Sequence, residues 1–311
     1  MTRAKLQRQP SRGPRGRSQL LVALGLLAPA LLQAQRPLKV YISADMEGIA
    51  GVVSGEQLAP AGFEYDRFRG FMTAEVLAAI QGARDAGATT IVVSDSHGNG
   101  QNLLIERFSG DVTIVRSWPR PLGMMEGIDS SFAAVVFIGY HSSTNSLTGV
   151  RAHTMSSATL TSVELNGVAV PESGFNAAIA GRFGVPVVAI SGDESAVGEA
   201  QRLIGPMEGA VVKHSISFHA AQTMTPEAAQ ALIREKVKAG VLRRAELKPY
   251  VLTNPVRLDV SFKSYRQAEM LGYLSIVQRT TSHSIRYIGK DILDVSRFFQ
   301  FVESYDSGLT P

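Results

Sequence analysis

Two patterns of apolar and polar residues alternate along the chain from Leu38 onward. Nearly continuous apolar runs rich in β-branched residues predict buried strands. These runs are LKVYIS (38–43), TTIVVSDSH (89–97), AAVVFIGYH (133–141) and VPVVAIS (185–191). Between and after them, apolar residues recur every three or four positions, which predicts helices. The predicted helices cover 71–87, 172–184, 192–205 and 225–240. Buried strands that alternate with helices are typical of a mainly parallel sheet covered on both faces, so we predict a three-layer α/β fold.

Threonine, proline and glycine mark the ends of the predicted helices. The clearest helix has Thr225 as its predicted N-cap and Pro226 at its first helical position. Gly87, Gly184 and Gly240 are each predicted to follow the last residue of a helix, because glycine readily adopts the left-handed conformation found there.

The C-terminal part of the chain has a different pattern. VRLDVSF (256–262) alternates apolar and polar residues, which predicts a half-exposed strand. Helical patterns over 265–274 and 291–303 flank an extended stretch over 284–289. A hairpin is predicted earlier in the chain, at Asn166-Gly167. We therefore predict a large α/β domain over 35–210 and a smaller α+β domain over 211–311.

The first 34 residues predict a secretory signal peptide. Several basic residues precede an apolar run from Leu20 to Leu32. A membrane-spanning helix needs about 20 apolar residues, whereas this shorter run suits the central region of a signal. We expect cleavage after Ala34, export to the periplasm or the exterior, and no stable membrane insertion of the mature chain. The alternative is that the leader is kept as a membrane anchor.

Charge gives no support to one class of function, and composition excludes one class of chemistry. The whole chain has a formal net charge of +4, but without the six basic residues of the leader the remaining 25 basic and 27 acidic residues give −2. The body therefore gives no electrostatic reason to expect a nucleic-acid partner. The chain has no cysteine, which excludes disulfides, thiolate nucleophiles and thiolate metal ligands.

Polar residues follow several of the predicted strands. Asp45 and Glu47 come after the first strand, His97 after the second, and His141 after the third, while Glu172 follows the hairpin at the start of a helix. Proteins with open parallel sheets bind small molecules and ions at the carboxyl ends of the strands. The side chains that follow these strand ends are therefore expected to lie close together. Each of them alone is also compatible with a solvated loop, a turn or a helix cap.

Together, these five side chains suit a divalent metal with imidazole and carboxylate ligands, most naturally zinc. Asp45 and Glu47 carry like charges at the end of a buried strand, where one would stay protonated without a cation. One tetrahedral zinc needs fewer than five ligands, whereas two ions about 3.5–4 Å apart that share a carboxylate would use them all. Gly48 is predicted to let the backbone turn away sharply, so that both carboxylates face inward.

The motifs SADMEGIAG, VSDSHGNGQN, FIGYHSS…GVRAHTMSS and LNGVAVPESGFNAAIAG resemble, in this order, segments of the zinc-dependent D-aminopeptidase family. VVAISGDESAVGEA and FKSYRQAEM extend the resemblance, which covers roughly 38–305. It implies a two-zinc site formed by Asp45, Glu47, His97, His141 and Glu172, with Asp45 as the bridging ligand. It also implies that His153 is a catalytic residue that does not bind metal, acting as a proton shuttle, an oxyanion stabiliser or a nucleophile.

The resemblance further implies hydrolysis of the N-terminal residue of short peptides, with a preference for D-residues such as D-alanine. A ring-shaped homo-oligomer such as a decamer, with active sites facing an enclosed cavity, is implied as well. Two departures from the family are the wording of the loop between His141 and His153 and the predicted export signal. Two other functions stay open: a di-metal amidase or deacetylase on cell-wall or peptide-like amides, and an exported peptide-binding protein without catalysis.

Other polar residues are less informative. Asn176 lies one helical turn after Glu172, where it would face either the site or the helix surface. Lys213, His214 and His219 are predicted to lie mainly at a domain interface or on the surface. His283 has no predicted partner.

Overall fold

The structure of the protein is a computed structural model, and it describes residues 37–305. The predicted signal peptide over 1–34 lies outside the described residues. Within 37–305, none of the helices combines the length and the apolar character needed to cross a membrane.

The described residues form strands and helices that alternate along most of the chain. The strands are β1 (Lys39–Ala44), β2 (Thr90–Asp95), β3 (Val112–Val115), β4 (Ala134–Tyr140), β5 (Leu160–Leu165), β6 (Val168–Ala169), β7 (Val187–Asp193), β8 (Glu208–Ser217), β9 (Ala220–Thr223), β10 (Val256–Phe262), β11 (Val277–Arg279) and β12 (Ser284–Gly289). The helices are α1 (Tyr65–Asp85), α2 (Glu172–Arg182), α3 (Glu194–Ile204), α4 (Pro226–Leu242), α5 (Tyr265–Leu271) and α6 (Ile292–Ser304).

A seven-stranded sheet forms the centre of the molecule, with strand order β3-β2-β1-β4-β7-β8-β9. All neighbouring strands are parallel except β8 and β9, which form an antiparallel pair. The chain runs from β1 to β2 on one side and to β4 on the other, so the strand order reverses between β1 and β4. The carboxyl ends of strands at such a reversal form the usual ligand crevice of open α/β sheets.

Helices and a second sheet cover the two faces of this central sheet. Along β1, Val40 and Ile42 pack into one apolar core, which includes residues of α1 and α4, and Tyr41 packs into the other, which includes residues of α2, α3 and α6. Successive side chains of a strand point to opposite faces, so both faces of β1 are buried. The predicted α/β fold with a mainly parallel sheet in a three-layer arrangement is confirmed.

The second sheet is antiparallel, with strand order β11-β12-β10-β5-β6. It joins the predicted hairpin at Asn166-Gly167 to strands near the C-terminus. Strand β8 belongs to the central sheet and runs across the predicted domain boundary at 210/211. The two sheets are therefore interleaved along the chain, and the division into 35–210 and 211–311 stays a prediction.

Gly240 differs from its predicted role. It lies inside α4 rather than beyond its end. A Cβ atom at this position would lie only 2.3 Å from the carbonyl oxygen of Val188 in β7. Glycine is needed here because α4 packs with its backbone against the sheet. The prediction for the other two glycines fits the structure, since Gly87 and Gly184 have φ values of 94° and 76° just after α1 and α2.

Candidate metal centre

The five side chains predicted to meet are brought together at the carboxyl edge of the central sheet. Asp45, Glu47, His97 and His141 follow the ends of the three neighbouring strands β1, β2 and β4, and Glu172 is the first residue of α2. All five side chains are buried, with at most 7% of any of these residues exposed.

The loop after β1 is held close to β4 by small residues. A Cβ atom on Gly48 would lie 2.0 Å from the carbonyl oxygen of Tyr140, and one on Gly139 would lie 2.2 Å from that of Asp45. Gly48 also donates its N–H to the carbonyl of Gly139 at 2.7 Å. Gly48 therefore serves the close approach of two backbones, and its φ is not in the left-handed region that a glycine-dependent sharp turn would use.

The cluster has two halves that share Asp45. In one half, Nδ1 of His97 lies 3.2 Å from Asp45 Oδ1 and 2.9 Å from Glu47 Oε2. In the other half, Nε2 of His141 lies 3.3 Å from Asp45 Oδ2 and 3.3 Å from Glu172 Oε1. Each half thus consists of one imidazole, one glutamate and one oxygen of Asp45.

The hydrogen bonds of the histidines select the nitrogen that faces this cluster. His97 donates from Nε2 to the carbonyl of Leu58 at 2.7 Å, and His141 donates from Nδ1 to the carbonyl of Ser142 at 3.1 Å. In the neutral imidazole, the other nitrogen then carries a lone pair and points at carboxylates. Metal-binding histidines commonly donate their remote N–H to a carbonyl in this way.

The electrostatics of the cluster also require added positive charge. Burial raises the pKa of Asp45, and the neighbouring charge of Glu47 raises it further. Burial alone would raise the pKa of Glu47 and lower that of His97, but their mutual attraction outweighs it, so the pKa of Glu47 falls well below and that of His97 rises well above the usual range. Protons on the imidazoles balance the carboxylates, and a metal cation could take the place of these protons.

The residues fit a divalent metal on a further observation. Asp45 Oδ2, Glu47 Oε2 and His141 Nε2 are buried, and none of their close contacts among the described residues has the geometry of a hydrogen bond. One ligand atom each from Asp45, Glu47 and His141 lies within 4.8 Å of the others, and the same holds for His141, His153 and Glu172. Buried polar atoms normally have partners, so three unsatisfied atoms aimed at one place indicate a ligand that they bind.

His153 lies beside the second half of the cluster. Its ring stacks on that of His141 with 4.0 Å between centroids, and its Nε2 lies 3.7 Å from Glu172 Oε1. Nδ1 donates to the carbonyl of Arg151 at 2.8 Å, which leaves Nε2 free to accept or donate a proton. Arg151 and Met155, two residues before and after His153, both have positive φ values. Such strained backbone is concentrated at functional sites.

Lys213, predicted to lie mainly at a domain interface or on the surface, does not lie on the surface. It is 1% exposed, and its Nζ donates to the carbonyls of Glu47 at 2.5 Å, Ile49 at 3.0 Å and Val52 at 2.7 Å. An ammonium group has three protons, so this cage satisfies all of them. Lys213, on β8, therefore fixes the backbone of the loop that carries Glu47.

Glu75 of α1 supports the same loop from another direction. Its Oε1 accepts the N–H of Ala50 at 2.9 Å, and burial raises the pKa of Glu75 to about 7.

The side chains of the remaining histidines lie away from the cluster: His214 approaches Glu194, His219 approaches the carbonyl of Val53, and His283 bonds to Ser282. All three are exposed, as predicted for His214 and His219.

Some polar residues at the strand ends support the backbone and do not join the cluster. The carboxylate of Asp95 accepts the backbone N–H groups of Asn102 at 2.6 Å and Leu103 at 2.7 Å. It therefore caps the turn after His97. Ser43 accepts a hydrogen bond from the hydroxyl of Tyr140 at 2.7 Å and so joins β1 to β4 beneath the metal ligands.

A cavity of about 440 Å³ opens above the cluster. Its lining includes Asp45, Glu47, His97, His153 and Glu172. Asn176, whose direction the sequence left open, is 1% exposed, lines the cavity and donates to the hydroxyl of Tyr140 at 2.9 Å.

The wall of this cavity includes residues that the sequence did not reveal. They are Trp118, 122–124, 155–158, Phe175 and, from α6, Ser296, Gln300, Glu303 and Ser304. The sequence of α6 does show polar residues at helical spacing, but such a pattern usually indicates a helix face exposed to solvent.

A buried imidazole–carboxylate cluster at the carboxyl edge of a parallel sheet, open to a cavity, defines a metallohydrolase type of site. The profile of the D-aminopeptidase family, peptidase M55, matches residues 38–301. The chain belongs to this family of metallo-aminopeptidases, and the resemblance seen in the sequence is confirmed.

One similar sequence and one similar solved structure, both from Bacillus subtilis, agree with this assignment. A D-aminopeptidase of strain 168 is 33% identical over 260 residues, which cover 83% of this chain and 93% of the relative. A solved structure, described as a zinc-dependent D-aminopeptidase and a self-compartmentalizing protease, has a TM-score of 0.82 and 30% identity. That match covers 86% of this chain and 97% of the solved chain.

Proposed function

We propose that this protein is an exported, zinc-dependent aminopeptidase that removes the N-terminal residue, of D configuration such as D-alanine, from short peptides. The observation that carries the proposal is the two-part cluster around Asp45, in which each half presents one imidazole and one glutamate. Membership of the D-aminopeptidase family and the zinc dependence stated for the solved relative support it.

The two halves suggest which residues hold the metal. His97, Glu47 and Asp45 would hold one zinc ion, and His141, Glu172 and Asp45 would hold the other, so that Asp45 would be the shared ligand. Zinc held there would supply a Lewis acid that polarises the scissile carbonyl and lowers the pKa of a water molecule to about 7.

A protein side chain carries out the proton transfer that peptide-bond cleavage requires. His153 is the catalytic residue of the proposal, and its Nε2 takes up or delivers the proton during cleavage. The backbone carbonyl of Arg151 accepts a hydrogen bond from Nδ1–H and thereby fixes the tautomer in which Nε2 is the reactive nitrogen. The side chain of His153 is only 13% exposed, so this transfer is largely shielded from bulk water, which strengthens the electrostatic interactions around it.

The assembly and the cellular location belong to the same proposal. A ring-shaped homo-oligomer such as a decamer is supported by the description of the solved relative as self-compartmentalizing. Exposed apolar side chains on and after α5 offer a contact surface; they are Tyr265, Met270, Tyr273 and Ile276. Export rests on the sequence pattern of residues 1–34. Light scattering of the purified protein and N-terminal sequencing of the cell-derived protein test these two points.

Metal analysis combined with a substrate panel tests the function. We expect about two zinc ions per chain, loss of activity on chelation, and release of the first residue from D-aminoacyl dipeptides in preference to their L counterparts. Blocking the amino terminus should abolish cleavage. Cleavage of blocked amides or acetylated sugars instead would favour an amidase or deacetylase, and peptide binding without turnover would favour a transport-related binding protein. D-alanyl dipeptide hydrolysis by metal-free protein would contradict the proposal.

A further inference from the structure

Helix α6 has a polar face that lies along the cavity. Ser296, Gln300 and Glu303 follow one another at spacings of four and three residues, which places them on one side of a helix. All three line the cavity. Phe298 and Phe299 of the same helix are buried in the apolar core. The polar side chains are therefore directed by the packing of the helix.

Two contacts fix this polar face against the cavity wall. Ser296 donates its hydroxyl to the carbonyl of Pro121 at 3.1 Å. Nε2 of Gln300 lies so close to Gly123 that a Cβ atom there would be 3.2 Å away. The same Nε2 donates to Glu303 Oε2 at 2.9 Å. The position of the Glu303 carboxylate at the cavity therefore follows from a chain of contacts along α6.

The cavity has a negative group that the metal ligands do not use. Asp45, Glu47 and Glu172 belong to the metal cluster, whereas Glu303 is a fourth carboxylate in the lining. Within residues 37–305, no lysine or arginine lines the cavity, and Glu303 forms no ion pair. A positively charged ligand group would be the counterpart that Glu303 lacks.

The surroundings of Glu303 disfavour a lone negative charge. The residue is reachable by solvent at the mouth of the cavity. Glu303 is the penultimate residue of α6, where the helix dipole is negative and favours cations. A cation that enters the cavity would relieve this penalty.

The substrate class supplies such a cation. An aminopeptidase acts on a peptide end with a free primary ammonium group, and a charge-assisted hydrogen bond to a carboxylate is the strong way to recognise it. We propose that Glu303 binds the α-ammonium group of the substrate and thereby restricts cleavage to the first residue. This inference rests on the proposed aminopeptidase function.

The test compares Glu303→Gln with a matched control, Arg297→Gln. Both changes remove one charge from α6, but Arg297 is exposed and does not line the cavity. For a D-alanyl dipeptide, we expect KM to rise about 10- to 100-fold in Glu303→Gln, with kcat and zinc content nearly unchanged, because a hydrogen bond to a charged group is lost. The inhibition constant of free D-alanine, which carries the same ammonium group, should rise by a similar factor. The control should match the wild type.

A substrate analogue without the amino group separates recognition of the ammonium group from the fit of the rest of the substrate. N-propionyl-D-alanine has the structure of the dipeptide D-alanyl-D-alanine without its ammonium group. The wild type should strongly prefer the dipeptide, and Glu303→Gln should lose most of this preference. Unchanged KM in Glu303→Gln, or equal losses for both substrates, would overturn the inference while leaving the aminopeptidase function in place. A wild type that releases no N-terminal residue would overturn the proposed function and the inference with it.

Discussion

The floor and the wall of the cavity are built in opposite ways. The floor, formed by Asp45, Glu47, His97, His141 and Glu172, lies at the end of the parallel sheet and is buried. The wall, formed by 155–158 and the polar face of α6, is held by side-chain contacts and reaches solvent. The floor fixes the positions of charges that repel one another, whereas the wall offers neutral groups and one carboxylate. We therefore expect changes in the floor to act on metal and turnover, and changes in the wall to act on substrate affinity.

The largest effect is expected for Asp45→Asn. The amide keeps the shape of the side chain but loses the charge that both halves of the cluster share. We expect zinc content to fall below two per chain and turnover to fall to background.

The metal-free Asp45→Asn protein should unfold at the same temperature as the wild type or higher, because the repulsion between Asp45 and Glu47 is removed. Zinc analysis, dipeptide release and thermal unfolding of metal-free samples measure these three quantities. Full zinc content and full activity in the variant would show that Asp45 is not the shared ligand.

His153→Ala, next to the floor, separates catalysis from metal binding. Loss of a proton-transferring group costs about 10²- to 10⁴-fold in rate, so kcat should fall by that factor. Zinc content should stay at the wild-type level, since the ligands proposed for both ions remain. His153 also lies within 4.8 Å of ligand atoms of His141 and Glu172. Zinc loss in the variant would therefore reassign His153 as a ligand.

Lys213→Met tests whether the floor depends on the loop that carries Glu47. Without the ammonium group, the carbonyls of Glu47, Ile49 and Val52 lose a shared donor. Loss of a group that orients a metal ligand typically lowers metal affinity about 10- to 100-fold, and we expect that loss in a competition titration with a chelator. Lys248→Met, at an exposed lysine, is the control. Equal zinc affinity in both variants would limit Lys213 to a role in stability.

A smaller, graded effect is expected from pH. The carboxylates around His97 and His141 outweigh burial and hold the pKa values of both histidines well above the usual range in the metal-free protein. Zinc must displace these protons, so its apparent affinity should increase as pH rises towards those pKa values and decrease as pH falls. Calorimetry in buffers of different ionisation enthalpy counts the protons released. Zinc binding without proton release would mean that both imidazoles are already neutral.

The sequence predicted the floor far better than the wall. The candidate ligands in the floor follow strand ends, and a parallel sheet places its carboxyl ends side by side, so Asp45, His97 and His141 could be grouped without coordinates. Glu303 and Gln300 carried no such signal, because polar residues at helical spacing usually face solvent.

The contacts of Lys213 and Gly240 could not be predicted, for a related reason. The burial of Lys213 is set by carbonyl groups of a loop more than 160 residues away, and no local pattern reports such a contact. Gly240 looked like a helix terminator, but its need for a glycine comes from the backbone of β7 packed against α4. Long-range packing decided both positions.

Anomalous diffraction at the zinc edge from crystals of the purified protein tests the central claim most directly. The account predicts two peaks per chain, one beside His97 and Glu47 and the other beside His141 and Glu172, with Asp45 between them. Absence of zinc from this cluster, or zinc bound elsewhere in an active protein, would contradict it.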